Sequence, residues 1–314
     1  MKIIPQTQNS DHTLFHFERP RLNQLFSEAV KYPLVVVCAG AGYGKTSAVR
    51  DFTQEYNATT AWGHLSERDN SSARFWEGYI HTMSKINEPF ARELKKMSFP
   101  DTKDKLSHYQ TLLSELVEKK RRIIVMDDFH CIEELSVIRF VEECILFKNP
   151  PGTSVFMLTR STPRVNIAGL VYRDKIFNIS EDDLRFTESE LSQYFHKLNL
   201  SPSQEDLRGI MQDTKGWAFA INLIARSYQK APGYGGYARN AMKTNIFRLM
   251  ETEIWDGITE CLQNFLIRLS LIDHLSIDLI NQLAGGDAGL ITEFERLNAY
   301  VRRDDDINAY FIHP

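Results

Sequence analysis

The stretch that decides the fold runs from Leu34 to Thr46 and reads LVVVCAGAGYGKT. Its first five residues are apolar and mostly β-branched, which predicts a buried β-strand. The remainder matches the phosphate-binding pattern G-x-x-x-x-G-K-[ST], except that Ala39 takes the place of the first glycine. A helix is expected to begin at the end of the pattern. The sequence therefore predicts a strand, a glycine-rich loop and a helix in direct succession.

The residue types in this loop suit a polyphosphate. Glycines adopt backbone conformations that point several N–H groups into one concavity, and a helix start adds a positive partial charge. Lys45 supplies a mobile cation for the β- and γ-phosphates, and the Thr46 hydroxyl is a ligand for Mg²⁺. A glycine-rich turn can be purely structural, but the lysine and threonine together favour nucleotide binding. We assign nucleotide contacts to these residues: Gly40, Ala41, Gly42, Tyr43, Gly44, Lys45, Thr46 and Ser47.

Two acids follow a later apolar run, Ile123–Met126. An acid at the tip of a buried strand beside a phosphate loop can hold Mg²⁺ through water. We assign Asp127 to the metal and Asp128 to polarisation of the attacking water. An isolated Asp-Asp pair indicates a turn or a helix cap. Its spacing of about 80 residues from the phosphate loop, with two helices and a strand between, favours the catalytic interpretation.

Another apolar run, Ser154–Leu158, is followed by Thr159 and Arg160. If this strand lies beside the first one, the planar guanidinium can reach the γ-phosphate and bind its oxygens. We therefore assign catalytic roles to Arg160 and Lys45 alongside Asp128. A plain surface arginine is the alternative.

Strand-like and helical patterns alternate in the first half of the chain. The strand-like runs are continuously apolar, which is typical of strands buried on both faces of a parallel sheet. The predicted fold class is α/β, a P-loop NTPase parallel sheet with helices on both faces. The predicted strands are Leu34–Cys38, Thr60–Leu65, Arg122–Met126, Ser154–Leu158 and Lys175–Ile179.

From Thr187 onward the patterns are helical, beginning with a capping box at 187–190. Two short apolar runs around an acidic turn, within residues 299–313, predict a β-hairpin. Helices followed by a hairpin indicate a winged helix. We predict three domains: a nucleotide-binding ATPase domain at 1–182, a helical domain at 183–238 and a winged-helix domain at 239–314.

Composition restricts the classes of function. The 314 residues carry 37 Lys and Arg against 41 Asp and Glu, a formal net charge of −4, so this chain lacks the basic footprint that nucleic-acid binding needs. The most basic run, Lys119–Arg122, is expected to be a solvated helix end.

The sequence has no signal peptide and no apolar stretch of membrane-spanning length, which predicts a cytoplasmic protein without membrane contact. No pair of cysteines has a C-x-x-C spacing, and we expect four reduced core cysteines. These are Cys38, Cys131, Cys144 and Cys261.

At this point an ordered set of motifs resembles a known family, the MalT/LuxR-type large ATP-binding transcriptional regulators, which are STAND-class signalling ATPases. The set covers nearly the whole chain. The matching strings are Arg19–Leu22, Ala39–Thr46, Trp62–Leu65, Asp69-Asn70 followed by Arg74–Trp76, Met126–His130, Thr159-Arg160, Leu184–Thr187, Gly216-Trp217, and Phe311–His313, which resembles the start of an H-x-L-F motif.

The resemblance implies a three-part nucleotide module that uses ATP, ADP and Mg²⁺. It implies a closed resting state with trapped ADP, and an open, self-associating state favoured by ATP plus an inducer. It also implies that a sensor domain and a C-terminal DNA-binding domain should follow, so that this chain is a truncated part of a longer protein. DNA and the inducer would then be partners only through those other domains.

The resemblance also implies further site residues. In the wider class a helical-domain motif lies against the nucleotide, and the equivalent here is Gly216–Ala218, without the usual proline. A core aromatic at a helix start is the alternative for Trp217. His313 is the counterpart of a histidine that senses the β-phosphate. Arg21 is assigned to the nucleotide, with a solvated helix start as its alternative.

Three functions remain open at this stage. The first is a slowly hydrolysing ATP/ADP switch. The second is a catalytic P-loop enzyme, either a AAA-type ATPase or a small-molecule kinase, although residues 187–314 offer no obvious acceptor site. The third is a nucleotide-bound scaffold without hydrolysis.

Overall fold

The computed structural model divides the chain into two compact units. The first, here called the sheet unit, contains Pro20–Ala39 and Lys45–Leu184; the second, here called the helical unit, contains Met1–Arg19, Gly40–Gly44 and Arg185–Pro314. The structure describes residues 15–114, 121–148, 150–230, 236, 239–245, 255, 258–272, 275–297, 301–304 and 308–312. The predicted boundaries of the three domains stay a prediction.

The sheet unit is built on five parallel strands in the order β2-β3-β4-β1-β5, which confirms the predicted fold class. The central strands β3 and β4 are buried along their whole length, which explains their apolar runs Ile123–Met126 and Val155–Leu158. The strands are β1 Leu34–Cys38, β2 Thr59–His64, β3 Arg122–Asp127, β4 Thr153–Thr159 and β5 Ile176–Ile179.

Helices follow the strands of this sheet, as parallel pairing requires. Among the described residues between the helix that follows the glycine-rich loop and β3, the chain forms one strand, a short 3₁₀ helix at Glu67–Asp69 and three α-helices, where two helices and a strand were predicted. The additional helix begins at an Asn87 cap with Pro89 in its first turn. The helices of this unit are α1 Pro20–Ala29, α2 Lys45–Glu55, α3 Ser72–Ser84, α4 Glu88–Leu94, α5 Lys103–Ser114, α6 Leu135–Phe140 with a π-helical continuation over Val141–Leu146, α7 Ala168–Val171 and α8 Glu181–Leu184.

The core of the sheet unit is rich in aromatic residues. Trp76 packs edge-on against Phe140 at a centroid distance of 5.6 Å, and its indole N–H donates to the Met97 carbonyl at 3.1 Å. Tyr79 and Tyr109 share a buried hydroxyl–hydroxyl hydrogen bond of 2.6 Å. The helices that carry these residues share one buried core cluster with residues of the sheet strands.

The helical unit contains the capping box predicted at Thr187, whose hydroxyl accepts from Glu190 N while the Glu190 carboxylate accepts from Thr187 N. A small antiparallel sheet of order β6-β8-β7 includes the predicted hairpin. The name winged helix for this part stays a prediction. The elements are α9 Glu188–Lys197, α10 Gln204–Thr214, α11 Ala218–Lys230, α12 Glu260–Leu269, β6 Leu275–Ser276, α13 Ile277–Leu283, α14 Ala288–Arg296, β7 Val301–Asp304 and β8 Ala309–Ile312.

Two sequence-based expectations are wrong in detail. Arg122 is not at a solvated helix end, because it begins β3 and is only 4% exposed; Arg121 beside it donates to the Val30 carbonyl at 3.1 Å. Of the four cysteines expected in the core, Cys144 is buried, Cys38 and Cys131 are half-buried, and Cys261 is exposed on the polar side of the amphipathic helix α12. Within the described part of the chain, no helix combines the length and apolar character needed to cross a bilayer.

Candidate functional site

The carboxyl ends of β1, β3 and β4 meet at one edge of the sheet unit. β4 lies between β3 and β1, and its last residue Thr159 is paired with Cys38, the last residue of β1. Chain segments that leave neighbouring parallel strands in this way form a crevice in which α/β proteins bind ligands. Asp127 is the last residue of β3, and Lys45, Thr46, Asp128 and Arg160 lie in the segments that follow these strands. Because β3, β4 and β1 are neighbours in the sheet, residues that are far apart in the sequence, such as Lys45 and Arg160, lie at the same edge.

Lys45 begins α2 and is buried in the sheet unit. Its Nζ donates to the Ala39 carbonyl at 2.6 Å. Burial, with the nearby Arg160 guanidinium acting in the same direction, lowers the pKa of Lys45 to about 8, although the Asp128 carboxylate opposes this shift. A desolvated ammonium group beside a second cation is stabilised by any anion that enters the crevice.

Thr46 and Asp127 are in direct polar contact at this edge. The Thr46 hydroxyl lies 3.1 Å from both carboxylate oxygens of Asp127, and His64 Nδ1 approaches Asp127 Oδ2 at 3.2 Å. The Asp127 residue is only 2% exposed. A buried carboxylate beside a hydroxyl is a pair of hard oxygen donors, which is the ligand chemistry that Mg²⁺ prefers. These two residues therefore fit a divalent cation.

Asp128 lies directly beside this pair but has a different environment. Its backbone is left-handed, with φ 58°, and it begins a short 3₁₀ turn over Phe129–Cys131. Its Oδ1 lies 3.8 Å from His130 Nδ1 and 3.9 Å from Arg160 Nε, which are ion-pair distances rather than hydrogen bonds. The Asp128 carboxylate thus lies near two nitrogen groups but accepts a hydrogen bond from neither of them.

His130 carries a buried polar atom that makes no hydrogen bond. Its side chain is 7% exposed, and Nδ1 has no hydrogen-bond partner. Burial lowers the pKa of His130 to about 4, and Arg160 adds to the shift while Asp128 opposes it. The imidazole is therefore neutral at physiological pH.

The loop Gly40–Gly44 connects β1 to α2 and belongs to the helical unit by its contacts. Gly42 and Gly44 have left-handed backbones, with φ 75° and 80°. Two carbonyls of the loop accept hydrogen bonds from the start of α11: Ala41 O from the Trp217 indole N–H at 3.0 Å, and Gly42 O from Phe219 N at 3.0 Å. The loop is consequently fixed at two successive peptide groups.

The remaining predicted site residues are placed as follows. Arg21 is exposed on α1, and its Nη1 donates to the Asp183 carbonyl at 2.9 Å. Ser47 is exposed on α2, and Tyr43 is buried with its ring 6.4 Å from the Trp217 ring. His313 lies outside the described residues. The chemical roles assigned to the site residues stay predictions.

Sequence reasoning assigned no role to His130, His64 or Phe219. A signal existed for His130, because it follows the two acids within the quoted string MDDFH. Trp217 fits the alternative of a core aromatic at a helix start, since it is 8% exposed at that position, but its indole N–H also donates to the loop. No sequence signal announces this bond, since its partner Ala41 is 176 residues away.

The chain was compared with known proteins. No protein-family model matches it. It is 29% identical to the HTH-type transcriptional regulator MalT of Klebsiella pneumoniae (strain 342) over 314 residues, which cover 97% of this chain and 34% of that relative. It is 27% identical to the HTH-type transcriptional regulator MalT of Yersinia pestis (strain Pestoides F) over 310 residues, or 94% of this chain and 34% of the relative. The chain thus spans about a third of the length of these relatives.

Two solved structures have a similar fold. A Walker-type ATPase of Pyrococcus abyssi superposes with a TM-score of 0.57 at 14% identity, over 99% of this chain and 96% of that one. A STAND protein with a tetratricopeptide repeat sensor from Pyrococcus horikoshii gives 0.50 at 16% identity, over 95% of this chain and 41% of the other. The predicted resemblance is confirmed: the chain is similar in sequence to MalT regulators and has a P-loop NTPase fold.

Proposed function

We propose that this chain is the nucleotide-dependent switch module of a transcriptional regulator. The observation that carries the proposal is the buried Asp127 carboxylate in contact with the Thr46 hydroxyl, next to the buried ammonium of Lys45. This combination has the donors for a divalent cation and the cation for a polyphosphate in one crevice. The similarity to MalT regulators supports the assignment to transcription control.

In this proposal the ligands are ATP and ADP with Mg²⁺. When bound, Mg²⁺ neutralises charge on the phosphate oxygens. Thr46 and Asp127 hold the cation, Lys45 binds the β- and γ-phosphates, and residues 40–47 supply backbone N–H groups. Asp128 polarises the attacking water, and Arg160 binds the γ-phosphate. Arg21 and His313 are further proposed nucleotide contacts.

The proposed cycle has a resting state with bound ADP and an active state that self-associates after ATP and an inducer have bound. Driving a two-state equilibrium from 1:99 to 99:1 requires about 5.5 kcal/mol of differential binding. One phosphate group and its cation supply only part of that, so a second ligand is required. The inducer and DNA would bind through regions of a longer protein, and the three domains proposed here would be 1–182, 183–238 and 239–314.

Slow hydrolysis distinguishes this switch from a catalytic P-loop enzyme. A switch must keep its bound nucleotide long enough for the protein to respond by self-association, whereas a AAA-type ATPase or a small-molecule kinase turns over many times per second. Steady-state phosphate release by the purified chain separates the two. Turnover of many per second would contradict the switch.

The nucleotide site is tested by thermal unfolding with ADP and Mg²⁺. A ligand at 100 times its dissociation constant stabilises the folded state by about 2.7 kcal/mol, so we expect the melting temperature to rise by several degrees. Lys45→Ala should abolish this rise. The matched control is Lys96→Ala, which removes an exposed lysine paired with Glu93 and should leave the rise intact. An undiminished rise in Lys45→Ala would remove this lysine from the site.

A further inference from the structure

The contact between the glycine-rich loop and the start of α11 is unusually specific for two segments so far apart in sequence. It consists of two hydrogen bonds to successive loop carbonyls, Ala41 O and Gly42 O, both at 3.0 Å. One donor is a side chain, the Trp217 indole N–H, and the other is the backbone N–H of Phe219. The second donor is available because the first N–H groups of a helix have no partner within the helix.

These two bonds fix the orientation of two peptide planes. In a planar trans peptide the C=O and the following N–H point in opposite directions. Because Ala41 O points to Trp217, the N–H of Gly42 points away from it. Because Gly42 O points to Phe219, the N–H of Tyr43 points away from that residue. Two successive amide hydrogens are therefore turned to the side of the loop opposite α11.

The fit at Gly42 is too close for any side chain. A Cβ atom built there would lie 2.7 Å from Phe219 Cβ and 2.8 Å from Trp217 Nε1. The loop backbone thus packs directly against the two residues that donate to it. This proximity leaves the loop little freedom to rotate its peptides.

A neighbouring glycine determines where Trp217 lies. Gly216 has φ 81°, and a Cβ there would lie 2.7 Å from the Phe186 carbonyl. Phe186 N in turn donates to Gly216 O at 2.9 Å. This turn follows the end of α10 and places the Trp217 indole beside the loop. The Arg19 guanidinium lies 4.7 Å from the centroid of the Phe186 ring.

We propose that Trp217 is a positioning residue for phosphate binding. Its indole N–H, helped by Phe219 N, holds the loop peptides so that the N–H groups of Gly42 and Tyr43 are aimed at the phosphates before the ligand arrives. Pre-ordered donors bind more tightly, since the ligand does not have to order them. This inference rests on the proposed nucleotide function and assigns Trp217 to the phosphates through the loop, not to the base.

The test removes the indole N–H but keeps an aromatic ring. In Trp217→Phe we expect the affinity for Mg²⁺–ADP to fall about 3- to 10-fold, the effect of one lost neutral hydrogen bond. The matched control is Trp76→Phe, which removes an indole N–H bonded to the Met97 carbonyl in the core of the sheet unit. That control should leave ADP affinity unchanged, and circular dichroism establishes that each variant is folded.

A second pair of variants tests the backbone donor. Proline is tolerated in the first turn of a helix and has no N–H, so Phe219→Pro removes the donor to Gly42 O. Phe219→Ala removes the ring but retains that N–H. We expect weaker ADP binding in Phe219→Pro than in Phe219→Ala. Equal binding in these two variants would contradict the role of the backbone donor.

Pyrophosphate, which has no base, separates positioning of the phosphates from a contact with the base. Isothermal calorimetry should give the same fold-loss for Mg²⁺–pyrophosphate as for Mg²⁺–ADP in Trp217→Phe. A loss for ADP alone would overturn the inference in favour of a base contact, and no loss for either ligand would overturn it outright. If the wild-type chain bound neither ligand, the proposed function itself would be wrong, and the inference would fall with it.

Discussion

The two adjacent acids, Asp127 and Asp128, have the same chemistry and contrasting surroundings. Asp127 is buried on a strand end, with the Thr46 hydroxyl 3.1 Å from both of its oxygens. Asp128 has a left-handed backbone, is more exposed, and approaches His130 and Arg160 only at 3.8 and 3.9 Å. One peptide bond thus separates a carboxylate with close partners from one whose partners stay outside hydrogen-bond range.

This contrast favours different roles for the two carboxylates. A carboxylate fixed against a hydroxyl is suited to hold a cation, because its oxygens need no reorganisation when the cation binds. A carboxylate without a committed partner can accept a hydrogen bond from water and take up its proton. The left-handed turn at Asp128 produces the difference, since it breaks the strand geometry directly after Asp127. Three substitutions test it.

The largest effect is expected for Asp128→Asn. Asparagine tolerates the left-handed backbone as well as aspartate does, so the turn should be preserved. The amide cannot accept a proton, and ATP hydrolysis should therefore fall about 10²- to 10⁴-fold. ADP affinity should stay within about threefold of the wild-type value. Single-turnover hydrolysis and calorimetry measure the two quantities, and an unaltered rate would mean that Asp128 is not the group that activates water.

An intermediate effect is expected from His130 as the pH falls. The pKa of this buried imidazole is lowered to about 4, whereas in the unfolded chain it has its usual value near 6.5. Between these values the unfolded state binds a proton that the folded state does not, so stability is lost as the pH falls through this window. The loss should reach about 2–3 kcal/mol near pH 4.

The matched variant for this measurement is His130→Asn, which has a polar side chain but no titration in the window. Urea unfolding at a series of pH values should give a shallower acid loss for the variant than for the wild-type chain. All other titratable side chains are the same in the two proteins, so the difference between the two curves reports the imidazole and its interactions. If the free energy of unfolding changed with pH in the same way in both proteins, the lowered pKa of His130 would be contradicted.

The smallest of the three effects is expected for Asp127→Asn. Removal of the charge weakens the contact to a bound cation by about 10- to 100-fold in Mg²⁺-dependent ATP affinity. Binding of ATP in the presence of a chelator should change little. Titration of ATP with and without Mg²⁺ measures the difference between the two conditions. If that difference persisted in the variant, the cation would be held without Asp127.

The sequence predicts the sheet and the crevice well, for a physical reason. Strands buried on both faces are rich in continuous apolar runs, and this property marks Leu34–Cys38 and Ile123–Met126 in the sequence. Ligand-binding residues of α/β proteins lie at the ends of such strands, so Lys45, Asp127 and Arg160 can be proposed as site residues without coordinates. The chemical roles of these residues are tested by the experiments described above.

What the sequence does not predict depends on contacts between distant residues. The burial of Arg122 follows from its position at the start of a central strand, although its neighbours in the sequence are basic. The unpartnered Nδ1 of His130 depends on packing around the turn. The bond from Trp217 to Ala41 depends on the left-handed conformation of Gly216. None of these has a local periodicity that would reveal it.

The strand order has a consequence for synthesis on the ribosome. β1 is made first, yet Leu34 pairs with Val155 in β4 and with Ile176 in β5. At about 5–20 residues per second, the first of these partners emerges many seconds after β1. Throughout that interval an apolar segment with open hydrogen-bonding edges leaves the exit tunnel without its neighbours. During that interval β1 is exposed to non-native strand pairing, and this exposure ends only when the middle of the sheet has been translated.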